Sequence, residues 1–406
     1  MKKILVVHPA LVLGGAESVL IDILKILDKY SDQYNVELLL LENRQNHRID
    51  EIPSSISISH CLTGIESEFL IYCVNHMNED PHYFESWRRG CIDKVNQTLS
   101  KKLTEQHYDL IIDFQANQTQ FANYLIEHNV NTPIIRWCHG RLHINIWRNN
   151  PDFYPHIFRQ YAGIISIADE MKTLIDNYLQ EINLHGKVQN MRLYNPIDEY
   201  SIHQKAESFF WGGGYLLGGI FDVPNEPFLL HVSELSNLKN ALELVDIYAA
   251  LKQKGIQEKL YLIGNGNQSP AIKARIIELG LENDCIMLGR KDNPMPFMKK
   301  AKLFLNTSLD EGLPTVFLEA MELGTPVVSY ACPTGPRDIL DNGKYGVLIP
   351  MGDQQTFIEK TYELLTTPAL YQHYVDLLPE AMARFHQATI EAQLIDLIEH
   401  FIKKEE

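Results

Sequence analysis

No stretch of the chain approaches the ~20 consecutive apolar residues of a membrane-spanning helix. The start reads as a first strand and not as a secretory leader, since after Met1-Lys-Lys the apolar run Ile4-Leu-Val-Val7 stops at His8-Pro9. Cysteine is scarce. The six residues Cys61, Cys73, Cys91, Cys138, Cys285 and Cys332 include no C-x-x-C pair, and 406 residues need no disulfide framework. They read as reduced thiols of a cytosolic protein. Positive charge is in short supply, with 36 Lys and Arg against 52 Asp and Glu and a net charge of −16. Acidic residues outnumber basic ones in both halves. That argues against nucleic acid as the main partner and against strong overall attraction to an anionic membrane, and leaves room for a local patch. There is no D-x-D pair and no complete G-x-G-x-x-G. Length allows two or three domains, and 45% apolar with 22% charged residues is ordinary for a soluble globular protein.

What is present concentrates in Ser308-Leu-Asp-Glu-Gly-Leu-Pro-Thr-Val-Phe-Leu-Glu-Ala-Met-Glu-Leu-Gly-Thr-Pro-Val-Val-Ser329. Leu303-Phe-Leu305 before it reads as a buried strand. Pro314 suits a helix start, Thr315 to Leu323 are helix-compatible, and Gly324 is a usual stop. Val327-Val328 begins the next strand. This is the strand–loop–helix–strand unit of a parallel sheet. Glu311 falls in the loop and Glu319 about one turn inside the helix, on the face of Thr315. Between them lie unpaired N–H groups that favour an anion. A diphosphate flanked by two polyhydroxylated groups fits, because carboxylates accept hydrogen bonds from hydroxyls. A nucleotide-sugar has that shape.

Glu311-Gly at the loop-to-helix step, Glu319-Ala-Met one turn on, then Gly324-x-Pro-Val-Val closely resembles the signature of glycosyltransferase family four. The resemblance covers nearly the whole chain and is densest from Phe228 to Pro350. It implies an α/β, GT-B architecture of two doubly wound Rossmann-like domains facing across a cleft. The expected division is an acceptor-side domain 1–199, a linker 200–226, a nucleotide-sugar domain 227–380, and a C-terminal helix 381–406 returning to the first domain. The implied reaction moves a hexose or N-acetylhexosamine, with retention, from a nucleoside diphosphate sugar (a UDP-linked one is expected) to a hydroxyl of a bacterial surface glycan or glycolipid. Lipopolysaccharide or capsule synthesis is the setting it suggests. Glu319 then binds ribose and Glu311 the donor sugar. Backbone N–H groups of Gly312, Leu313 and Thr315, on either side of Pro314, and the Lys239 side chain hold the diphosphate. No metal or other cofactor is implied, since a helix N-terminus with a lysine replaces the cation. The location implied is cytoplasmic, with peripheral contact at the inner membrane.

The rest of the chain supplies further expectations. Gly14-Gly15-Ala-Glu17 opens a helix after the first strand, and the resemblance brings Gly15 near donor sugar or acceptor; Ser18 follows where relatives often carry Arg. His139 ends the strand Thr132–Cys138, at the carboxyl end where open α/β sheets bind ligands, and the resemblance puts it by the anomeric carbon. Residues 65–90, without clean period but rich in aromatics and arginine, read either as a membrane- or acceptor-contacting lobe or as an irregular helical insertion. Gly140–Arg148 reads as an aromatic-basic loop for the acceptor. Tyr194-Asn-Pro-Ile-Asp198 leads into the linker, whose segment 211–219 is glycine-rich. Gly264-x-Gly266 matches a glycine turn under the nucleotide, Arg290 follows a strand end that contacts the base, and Arg337 reaches toward phosphate. One position departs from the pattern: Glu234 stands where an arginine is expected. Either it points away, or Arg290 or Arg337 replaces the charge, or donor binding is weakened. The alternative reading is a non-catalytic GT-B protein that binds sugars or a partner.

Overall fold

The computed structural model describes all residues except 13, 45–47, 77–78, 115–119, 129, 208–222 and 404–406. The chain forms two units, Met1–Pro196 with Ile390–Glu406, and Ile197–Thr389.

The first unit alternates strands and helices: β1 (Lys2–His8), α1 (Gly15–Asp28), β2 (Tyr34–Leu40), β3 (Ser57–His60), α2 (Gly64–Asn75), α3 (Pro81–Glu105), β4 (Leu110–Asp113), α4 (Gln120–Glu127), β5 (Ile134–Cys138), α5 (Leu142–Arg148), α6 (Tyr154–Phe158), β6 (Gly163–Ser166), α7 (Asp169–Glu181) and β7 (Gln189–Arg192). The sheet is parallel, in the order β3-β2-β1-β4-β5-β6-β7. Runs such as Ile4–Val7 and Leu110–Ile112 are apolar throughout because helices cover both faces of such a sheet. The winding reverses between β1 and β4.

The second unit holds α8 (Glu199–Glu207), β8 (Phe228–Val232), α9 (Ala241–Gln253), β9 (Lys259–Ile263), α10 (Ser269–Glu278), β10 (Cys285–Gly289), α11 (Met295–Lys300), β11 (Leu303–Asn306), α12 (Thr315–Glu322), β12 (Val327–Tyr330), α13 (Gly335–Ile339), β13 (Val347–Ile349), α14 (Gln354–Thr366) and α15 (Pro368–Met382). Its parallel sheet runs β10-β9-β8-β11-β12-β13 and reverses between β8 and β11. The last helix, α16 (Gln387–Ile402), carries the chain back into the first unit at Ile390. There Tyr34 donates to Glu399 at 2.6 Å, and the Phe401 ring fills the place a side chain at position 163 would take.

Two expectations change, and one open alternative is decided. The stretch assigned to a linker opens with α8, which belongs to the second unit: Ile202 and Ala206 are buried, and the Lys205 carbonyl accepts from Asn293 at 2.7 Å. Its glycine-rich part, 211–219, lies outside the described residues. Gly140–Arg148 is not a loop. It forms α5, with Trp147 buried 4.7 Å from the Phe158 ring and Arg148 paired to Glu181 at 2.6 Å. Its aromatic and basic residues thus fasten α5 to α6 and α7. Residues 65–90 resolve into α2 and α3, as the helical reading had it. Phe69 and Trp87 meet edge to face at 5.2 Å, while Tyr72, Tyr83 and Trp87 stay about half exposed. Thr63 and Glu66 form a capping box at the start of α2, and Asp80-Pro81 opens α3.

Candidate active site

In each unit the sheet reverses beside its first strand, and open α/β sheets bind ligands beyond the strand ends at such a switch point. In the second unit this point lies between β8 and β11. Their following loops are stitched together: Leu309 N–H donates to Leu238 O at 2.8 Å, and Thr307 Oγ1 to Asn240 O at 2.9 Å. Lys239 Nζ then donates to Glu311 Oε2 at 2.7 Å. Glu311 is 9% exposed, and the lysine side chain 27%. The pair joins the two switch-point loops directly.

The loop after β12 closes the next side. Glu311 N–H donates to Pro333 O at 2.7 Å, Thr334 N–H returns to Glu311 O at 2.8 Å, and Gly335 N–H donates to Gly312 O at 2.7 Å. A Cβ on Gly335 would lie 2.3 Å from that Gly312 oxygen, so only glycine lets the backbones approach. Leu313 and Pro314 are buried beneath this contact. Pro314 is the cap residue of α12, and no side chain caps the helix. Its first-turn N–H groups are therefore the kind that receive an anion. Thr315 opens the helix, and Glu319 lies one turn in, half-buried. Burial pushes the neighbouring Cys332 thiol up, and the Glu311 charge adds to this, so the thiol stays protonated.

Gly264 has a structural cause for being glycine. At φ +138°, its Cβ would fall 1.8 Å from Ser233 O, so the loops after β8 and β9 touch through backbone. Gly266 packs in the same way on Leu235. Arg290, Arg337 and Glu234 are all exposed. Sequence reasoning passed over His231, fully buried in β8. Its Nδ1 meets Leu305 O at 2.9 Å and its Nε2 meets Ser233 Oγ at 2.7 Å. Burial holds it neutral, down to about 4.

The first unit repeats the arrangement at β1 and β4. His8 ends β1, is buried, and bonds through Nδ1 to Phe114 O just beyond β4. Two histidines thus tie the switch-point strands of the two sheets, and a His at or next to the end of an apolar strand was the available signal. Asp113 at the end of β4 is buried with Arg136, at 3.4 Å, and with Tyr161, which donates to the same oxygen. Burial raises the Asp113 carboxyl, with the Arg136 charge opposing. His139 follows β5, its ring 4.7 Å from Phe114. Gly15 opens α1, exposed, with nothing near the place of a Cβ. At Ser18, where the resemblance leads one to expect arginine, the Arg48 guanidinium donates to Ser18 Oγ at 2.6 Å.

Residues 221–379 match the model of the family described as glycosyl transferases group 1. An uncharacterized glycosyltransferase of Methanocaldococcus jannaschii is 33% identical over 323 residues, 66% of this chain and 75% of that one. The chain belongs to the group 1 glycosyltransferases. The N-acetylgalactosamine-N,N'-diacetylbacillosaminyl-diphospho-undecaprenol 4-alpha-N-acetylgalactosaminyltransferase of Campylobacter jejuni is 24% identical over 89% of both chains. Among solved structures, Anabaena HepE in complex with UDP and glucose superposes with a TM-score of 0.70, 20% identity, and coverage of 98% of this chain and 100% of that one. The fold of this glycosyltransferase is GT-B, and the protein is a transferase. Relatives of this family act on bacterial glycans.

Proposed function

We propose that this glycosyltransferase moves a hexose or N-acetylhexosamine from a UDP-linked donor to a hydroxyl of a lipid-carried bacterial glycan, with retained configuration. The observation that carries the reading is the Lys239–Glu311 pair beside the uncapped N-terminus of α12. Lys239, with the N–H groups of Gly312, Leu313 and Thr315 around Pro314, holds the diphosphate and stabilises the charge that leaves with it. Glu311 takes hydroxyls of the donor sugar, Glu319 the ribose, and Arg290 and Gly264 lie along the nucleotide. His139 and Gly15 are assigned to the reacting sugar. Glu234 is exposed, and Arg337 at α13 supplies the positive charge that it does not. No metal takes part.

Two names support the substrate classes: the Campylobacter relative is named for a diphospho-undecaprenol acceptor, and the Anabaena structure holds UDP and glucose. Among the described residues no helix is long and apolar enough to cross a membrane. We therefore assign contact with the cytoplasmic membrane face to the exposed aromatics of α2 and α3, since Trp and Tyr favour that interface. Incubation with UDP-glucose, UDP-galactose and their N-acetylamino forms, with and without EDTA, tests the proposal. Binding and transfer of at least one donor, unchanged by EDTA, is the expected result. No binding or turnover of any donor by folded protein refutes it.

A further inference from the structure

We propose that Glu17, which lies beside His8 at the Gly14–Gly15 turn, is the residue of the first unit that accepts a hydrogen bond from the acceptor's hydroxyl. This rests on the transferase reading above. The turn lies at the β1/β4 switch point, where a ligand crevice is expected in such a sheet. The His8 ring spans that point. Its Nδ1 meets the Phe114 carbonyl, which only accepts, so this nitrogen carries a hydrogen. Its Nε2 is buried without a hydrogen bond and lies 3.5 Å from Glu17 Oε1.

The carboxylate folds back across the turn to reach this place. A Cβ on Gly14 would fall 2.4 Å from Glu17 Oε2. Gly14 itself is extended, at φ −167° and ψ 168°, a conformation any residue adopts. Space for the carboxylate, not backbone strain, is therefore what glycine provides there. The Glu17 side chain is only 12% exposed, yet among the described residues it makes no hydrogen bond. A shielded carboxylate with unfilled lone pairs calls for a donor. Gly15 beside it leaves the approach open. A hydroxyl satisfies the site, whereas a phosphate would be repelled. On the outer flank Arg48 grips Ser18 and, with two bonds, Glu51. Arg48 thus closes that side without taking the carboxylate.

Glu17→Gln and Gly14→Ala test the assignment. The first removes the charge; the second pushes the carboxylate off the turn while leaving it in the chain. Both are assayed with UDP-N-acetylgalactosamine and UDP-glucose as donors and undecaprenyl diphosphate-linked N-acetylgalactosamine as acceptor. UDP affinity and thermal melting are measured alongside. In both variants kcat/KM for the acceptor should fall at least about tenfold, as loss of a charged hydrogen bond implies, through the acceptor KM. UDP affinity should stay within about twofold. Transfer at the wild-type level in either folded variant overturns the proposal, and so does a donor KM that rises with the acceptor's. If the wild-type protein binds UDP but uses no such acceptor, the acceptor assignment falls alone. If it binds no UDP, the transferase-site reading falls with it.

Discussion

Lys239 cannot serve Glu311 and a phosphate with equal strength, and Glu311→Gln exposes that competition. In the structure the ammonium spends a charge-assisted bond of 2.7 Å on a nearly buried carboxylate. Such a bond contributes about 1.5–3 kcal/mol when shielded. With the lysine 27% exposed, solvent reduces this to about 1–2 kcal/mol. Replacing the carboxylate by an amide keeps the shape and removes the charge. Lys239 is then free for the diphosphate, and UDP should bind up to about tenfold more tightly, since 1.4 kcal/mol is a factor of ten. Sugar transfer should nonetheless fall at least about tenfold, because the donor hydroxyls lose their carboxylate. Lys239→Met should do the reverse to affinity, weakening UDP by at least about tenfold. It also leaves Glu311 without its cation, at a cost of about 1–3 kcal/mol in stability. Calorimetric titration of UDP, steady-state transfer and urea unfolding on the two variants check all four numbers. UDP affinity that drops in Glu311→Gln would refute the reasoning, since the carboxylate would then organise the phosphate site and not compete for its lysine.

Three further outcomes are expected. Glu319→Ala should lose at least about tenfold in transfer with an unchanged melting temperature; full activity removes Glu319 from the ribose site. Gly264→Ala should cost about 2–4 kcal/mol in urea unfolding, combining a left-handed backbone with a 1.8 Å clash on Ser233 O. Gly255→Ala, at φ +93° with nothing nearby, should cost only about 1–2 kcal/mol; equal losses would show that the loop contact does not matter. His231 stays neutral in the fold down to about 4, against an ordinary value of 6.5. The unfolded chain takes up this proton first, so stability is full above pH 6.5 and falls toward pH 4 by up to about 3 kcal/mol. A shallower slope in His231→Gln over that window is the expected sign, and parallel curves contradict it.

Much of the candidate site could be read from residue order. Glu311 and Glu319 lie on one strand–loop–helix unit, and short-range signals set that unit: the apolar run before it, Pro314 at its start and Gly324 at its end. Other signals were present but went unread. Thr63 with Glu66, and Asp80 with Pro81, mark the starts of α2 and α3. Trp147 and Arg148 misled, because a binding loop and a helix fastened by its own aromatics share a composition.

By itself the sequence determined the alternation of strands and helices, the burial of both sheets and the place of the two glutamates, because each follows from local periodicity and turn chemistry. Tertiary structure alone decided which loops meet. Parallel strands pair across long crossovers, so neighbours in the sheet are remote in the chain. Lys239 reaches Glu311 across 72 positions only because β8 and β11 are adjacent where the winding reverses. His8 reaches Phe114 across 106 for the same reason at β1 and β4.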